Sequence, residues 1–183
     1  MSNELSYLVS NIDLQKMYKG CKIILYSNLY KINNLTDLIP NDQGVCFILI
    51  KITSNSGHWT ALCRRSNHFY YFDSYGVIYD GELVHVQKNL RFKLHEDKYY
   101  LSALIKKAEQ QGYRITYNKY QFQTCSTTIN TCGKWSITFA KFITNRNLDD
   151  STITLFKSRI LALGKKYNVP LDNLVCVLYD SFK

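Results

Sequence analysis

Glycine and proline are scarce, 8 and 2 in 183 residues, against a hydrophobic content of 46%. That combination excludes collagen-like, linker-rich and disordered chains. Long apolar runs are also missing. The longest, Val45-Cys46-Phe47-Ile48-Leu49-Ile50, is closed by Lys51, well short of the roughly 18 to 20 residues that a membrane-spanning helix needs. No membrane partner is expected. Repeats at periods of about 20 to 50 residues and Pro/Gly/Ser-rich dividers are absent as well, so residues 1–183 are read as one domain. The opening Met1-Ser2-Asn3-Glu4-Leu5 is polar and acidic where a secretory signal would be basic and then apolar, so an intracellular chain is expected. In a reducing compartment the cysteines Cys21, Cys46, Cys63, Cys125, Cys132 and Cys176 do not imply a disulfide framework. None of them stands in Cys-x2-Cys spacing, and His58, His68, His85 and His95 are dispersed, so no metal site is expected.

What is present is a periodicity that changes along the chain. Leu5, Leu8, Val9, Ile12 and Tyr18 give a helical spacing over about 4 to 19, and Leu35 to Ile39 a short turn of helix before Pro40. Runs rich in β-branched and aromatic residues follow at Val45 to Ile52, Trp59 to Cys63 and Phe69 to Phe72, which predicts three antiparallel strands. They are separated by Ser54-Asn55-Ser56-Gly57 and by Arg64-Arg65-Ser66-Asn67. Helical spacing returns over Tyr99 to Gln111, stopped by Gly112, and after a strand at Tyr113 to Tyr117 it recurs over Gly133 to Asn145 and Ser151 to Tyr167. Leu171 to Tyr179 fits strand or short helix equally. The class is α+β, a central, mostly antiparallel sheet packed by helices.

Chemistry enters through the hairpin. A turn between Arg65 and Ser66 sets His58 directly opposite Asp73. Directly opposed residues have Cβ atoms about 4.5 to 5.5 Å apart, so the carboxylate can accept from the imidazole and fix its tautomer. Cys132 is the nucleophile such a pair calls for, because Thr131-Cys132-Gly133 runs into a helix whose free N–H groups and dipole favour thiolate over thiol. Gly133 leaves room for substrate backbone, and the Cys132 N–H can face a developing oxyanion. A second donor is Gln123, with Gln121 and the Asn130 amide as alternatives. Cys125 is the rival thiol, on a loop without a following glycine or helix.

The ordered set Gly57-His58-Trp59, Phe72-Asp73-Ser74-Tyr75-Gly76, Gln123 and Asn130-Thr131-Cys132-Gly133-Lys134-Trp135 resembles the adenovirus-type cysteine proteases of clan CE. That clan also includes the proteases that process ubiquitin-like proteins. The resemblance points toward the compact maturation proteases of double-stranded DNA viruses, virophages and Polinton-like elements. Tyr26-Ser27-Asn28-Leu29, Val45 to Ile50 and Pro170-Leu171-Asp172-Asn173-Leu174-Val175 extend it over most of the chain. It implies a papain-like site with the nucleophile at a helix N-terminus and a thiol endopeptidase that cleaves capsid or other virion precursors. In that reading Cys132 attacks, His58 shuttles the proton, Asp73 orients His58, Gln123 lines the oxyanion hole and Trp59 packs beside them. No cofactor is then needed for the chemistry, although the family admits a DNA or peptide activator. The expected location is host cytoplasm, nucleus or viral factory, with packaging in the virion compatible.

Two other readings are carried forward. The same triad could act on conjugates of ubiquitin-like proteins, since substrate choice resides in loops such as Ser74 to Lys98. A non-enzymatic nucleic-acid-binding virion protein would instead use the net charge of +9 and the 15 tyrosines to hold and stack on bases. The same basic surface would serve non-specific DNA as a partner of the enzyme.

Overall fold

The computed structural model describes residues 2–53, 56–145 and 152–183. In chain order it contains α1 (Ser2–Ser6), α2 (Asn11–Met17), β1 (Lys22–Leu25), a 3-10 turn (Tyr26–Lys31), α3 (Leu35–Leu38), β2 (Val45–Lys51), β3 (Gly57–Arg65) and β4 (His68–Phe72). A second 3-10 turn (Gly81–His85), α4 (Lys88–Lys93), α5 (Tyr100–Gln110), β5 (Arg114–Tyr117), α6 (Cys132–Ile143), α7 (Ile153–Tyr167) and α8 (Leu171–Asp180) complete it. The strands lie in one sheet in the order β1-β2-β3-β4-β5. The chain is therefore α+β, but its sheet is mixed rather than mostly antiparallel. β2, β3 and β4 are antiparallel, whereas β1 pairs with β2 and β5 with β4 in parallel. Each parallel partner is reached through a helix-bearing crossover, as parallel pairing requires.

Strand alternation distributes the apolar residues to both faces. Phe47, Trp59, Ala61, Cys63 and Phe72 face one core with Trp135, Phe139 and Phe156, while Cys46, Ile48, Ile50, Leu62 and Tyr71 face another with Tyr26, Leu101 and Ile105. A sheet covered on both sides needs apolar residues at successive positions, which explains the unbroken run in β2. α6 is the central helix, buried at every residue from Cys132 to Ala140. Its Phe139 stacks on Phe72 with ring centroids 4.5 Å apart and meets Phe156 edge-on at 5.2 Å. Truncating so enclosed an aromatic leaves a cavity, so Phe139→Ala is expected to cost about 3 to 5 kcal/mol, measurable as a lower denaturant midpoint at constant slope.

Several expected elements shift. The helix over 4 to 19 is two helices, because Ser10 caps α2. Its Oγ accepts from the Asp13 N–H at 3.2 Å, and the Asp13 carboxylate accepts from the Ser10 N–H at 2.9 Å, a reciprocal capping box. The chain before it is therefore free to run across β3, where the Val9 carbonyl accepts from the Trp59 indole at 2.9 Å. The β3–β4 turn is shorter than expected: Arg65 pairs with His68 around Ser66-Asn67, with Ser66 in the left-handed region at φ 52. This moves the register by two residues and corrects the direct opposition of His58 and Asp73. The ladder sets Ala61 opposite Phe72, so Asp73 stands one step beyond the paired residues and diagonal to His58. A shift of two preserves the face, and the side chains still meet. Leu171 to Tyr179 is helical, as α8. Ser54-Asn55 in the first expected loop and the Ser151 start of the seventh helix lie outside the described residues. Among the described residues no helix is long and apolar enough to cross a membrane.

Candidate active site

Cys132 is the first residue of α6, with 7% of its surface exposed. Burial, the largest influence on its thiol, pushes the pKa up; hydrogen bonding and charge from His58, then the N–H groups of Trp59 and Gly133, more than offset it and hold the thiol below its ordinary value. His58 sits near the start of β3, buried. Its Nε2 lies 3.1 Å from Asp73 Oδ2, which leaves Nδ1 for the sulfur. Burial alone would lower the His58 pKa, but the charge and hydrogen bond of Asp73, then those of Cys132, raise it well above the usual value. Depressed thiol and raised imidazole both favour the thiolate–imidazolium form of the pair.

Asp73 is fully buried and held from several sides. Its Oδ1 accepts from the Tyr75 N–H at 2.7 Å, and its carbonyl accepts from the Gly76 N–H at 2.9 Å. Gly76 closes this turn at φ 76, where a side chain would press into the Tyr120 backbone at 2.8 Å. Asn118, just beyond β5, clamps the Asp73 backbone: its Oδ1 accepts from the Asp73 N–H at 2.8 Å and its Nδ2 donates to the Asp73 carbonyl at 2.7 Å. The ring of Tyr75 stacks on His58, centroids 5.0 Å apart and 19° from parallel. A fixed carboxylate and a flat lid on the ring leave the imidazole little freedom to turn.

The structure also brings Gln123 into this neighbourhood, but with its amide engaged. Nε2 donates to the Tyr75 hydroxyl at 3.1 Å and to the Ile129 carbonyl at 3.0 Å, while Oε1 accepts from Ser74 Oγ at 2.8 Å. Gln121 is exposed and donates to the Gln123 carbonyl at 2.9 Å; Asn130 Nδ2 donates to the Ser6 carbonyl at 3.2 Å. Cys125 is exposed on the loop ahead of α6. The space expected beside Gly133 for substrate is taken by the protein's own chain: a Cβ there would lie 2.6 Å from Val9 Cβ. The residue is glycine because the N-terminal segment crosses the helix end at that point. Cys132 instead opens on a cleft of about 480 Å³ walled by Leu8, Ile12, Leu49, Trp59 and Asn130.

Four contributors carry no role in the sequence reading. Tyr75 and Asn118 are two. Asp172, at the start of α8, is the third: it accepts from Thr131 Oγ1 at 2.5 Å, the Trp135 indole at 3.3 Å and the Thr124 N–H at 2.9 Å. It thereby ties both ends of the loop before Cys132 to one carboxylate. Glu82, on the second 3-10 turn, is the fourth. Its carboxylate and the polar atoms of His58 and Asp73 all lie within 4.8 Å of one another, a spread a metal could bridge, although His58 Nε2 is already engaged by Asp73. No signal in the sequence marks Asn118 or Glu82, whereas Tyr75 and Asp172 fall inside motifs already singled out. No protein-family model and no curated protein matches this chain.

Proposed function

We propose that this chain is a cysteine endopeptidase of the clan CE type that cleaves virion precursor proteins. The observation that carries the reading is the thiol of Cys132 at a helix N-terminus, open to a cleft and under the charge of a buried His58 whose Nε2 lies 3.1 Å from Asp73 Oδ2. In such a site the Cys132 thiolate attacks the scissile carbonyl carbon, and the carbonyl electrons move to oxygen. His58, as imidazolium, gives its proton to the departing amine, leaving an acyl thioester on Cys132. Water then attacks the thioester with His58 as general base, the C–S bond breaks, and the acid is released with the thiolate–imidazolium pair restored. Asp73 keeps the imidazole oriented and stabilises its charged form. Gln123 can serve the oxyanion by exchanging its bond to the Tyr75 hydroxyl for one to the substrate oxygen.

Limited alkylation with iodoacetamide at pH 6, located by peptide mass spectrometry, tests the site without a known substrate. Cys132 is expected to label at least tenfold faster than the other five cysteines, and to lose that advantage in His58→Ala, since only a thiolate reacts at useful rates and ordinary thiols are protonated at that pH. Slow, uniform labelling of all six would remove the proposed nucleophile.

A further inference from the structure

Glu82 is the group that the triad leaves without work. It is 4% exposed, its Oε1 is buried and accepts no hydrogen bond, and it lies against the acid side of the pair rather than at the cleft. A buried carboxyl oxygen without a donor is costly to keep, so its place within 4.8 Å of the polar atoms of His58 and Asp73 calls for a reason. The charged and titratable groups facing it are His58 on β3, Asp73 and Tyr75 on the turn after β4, Tyr71 on β4, and the exposed His85 on its own 3-10 turn.

We propose that Glu82 is a second carboxyl of the catalytic acid, a positioning residue that shares the negative charge behind His58 with Asp73 and extends the pH range over which His58 stays protonated. This rests on the reading of Cys132, His58 and Asp73 as a thiol-protease triad. The physical argument is the crowding of two buried carboxyls. A second negative charge packed beside Asp73 is disfavoured, so Glu82 keeps its proton to higher pH than an isolated carboxyl. Asp73 is the one supplied with donors, from His58 and from the Tyr75 N–H. Glu82 has no such donors, and burial raises its pKa, with the Asp73 charge adding to the rise and His58 opposing it. As the pH climbs Glu82 ionises in turn. Its new charge then falls beside an imidazolium that would otherwise be about to lose its proton, and holds that proton on. In acid Glu82 is neutral and contributes little, so its effect belongs to the alkaline side.

The test is the titration of His58 followed by NMR of the imidazole, in wild type and in Glu82→Gln, with iodoacetamide labelling of Cys132 alongside. The isosteric amide removes the charge and keeps the volume. We expect the His58 midpoint to fall by about one pH unit, a tenfold change, as the loss of one close charge dictates. The imidazolium population should differ most between the two proteins at alkaline pH and far less at pH 6. An unmoved midpoint overturns the inference, as does a loss of labelling that is equal at every pH, which would mark Glu82 as a fold element only. Should Glu82→Gln fail to fold, the side-chain carboxyl carbon of Glu82 in wild type decides: titration among the surface glutamates overturns the proposal, and a midpoint clearly above theirs sustains it. If Cys132 shows no His58-dependent labelling in wild type, the triad reading itself fails, whatever Glu82 does. If that labelling is present and the His58 midpoint ignores Glu82, only the present inference falls.

Discussion

Cys132→Ala is expected to abolish peptide-bond cleavage, a loss of about 10⁴-fold or more, on the scale seen when a nucleophile is removed from a hydrolytic triad. Among the described residues no other thiol lines the cleft. The neighbouring N–H groups of Trp59 and Gly133 point at the sulfur, so removing it takes away both the attacking atom and the group those donors stabilise. The fold should survive the change, because His58 keeps its Asp73 partner and the substitution removes one atom from a site that opens on a cleft. The measurement is the appearance of new N-termini in a complex peptide library incubated with each protein, with thermal unfolding as the control for folding. Cleavage that persists in Cys132→Ala and disappears in Cys125→Ala would transfer the nucleophile to the exposed loop thiol. Cleavage that persists in both would end the thiol-protease reading.

The parts of this architecture that could be read beforehand are those written in local periodicity. The antiparallel β2–β3–β4 core, the helix behind Cys132 and the order of His58, Asp73 and Cys132 follow from alternation, helical spacing and motif order. The His58–Asp73 contact was reached through a register two residues out, and it survived because side chains repeat every two residues along a strand; an error of one would have turned them to opposite faces. What could not be read depends on pairing between distant segments. β5 lies parallel to β4 after a crossover of some forty residues, and nothing local announces that Tyr71 will sit beside Tyr117. Asn118, which follows that strand, therefore carries no sign that it will hold the Asp73 backbone. Glu82 was hidden for a related reason, since a glutamate in a polar loop ordinarily faces water and only the path of the second 3-10 turn takes it inward. The N-terminal break had a local signal, Ser10 followed three residues later by Asp13, but Leu8, Val9 and Ile12 matched a continuous helical stripe and outweighed it.

Asp73→Asn should separate the two halves of the chemistry. At His58 the largest influence is burial, which favours the neutral ring; the charge and hydrogen bond of Asp73 reverse it, with Cys132 adding to the reversal. Replacing the anion by a neutral amide removes the largest influence opposing burial, so the imidazole gives up its proton at lower pH. The Cys132 thiol then loses the cation that offset its own burial, and its pKa rises. The balance of the pair moves from thiolate and imidazolium toward thiol and imidazole, and the labelling advantage of Cys132 at pH 6 should shrink about 100-fold, on the scale of the two-unit shifts such charges produce. Raising the pH toward 9 restores the thiolate by direct ionisation, so labelling recovers there. Cleavage does not recover with it, because the leaving amine still needs a protonated His58 and alkaline solution removes that proton further. Endopeptidase activity is therefore expected to stay lower by up to about 10⁴-fold across the range, the loss that an Asp to Asn change causes in a serine-protease triad. Labelling and cleavage that recover together at pH 9 would show that Asp73 only tunes the thiol. Labelling at pH 6 that is untouched by Asp73→Asn would show that the charge behind His58 does not come from Asp73.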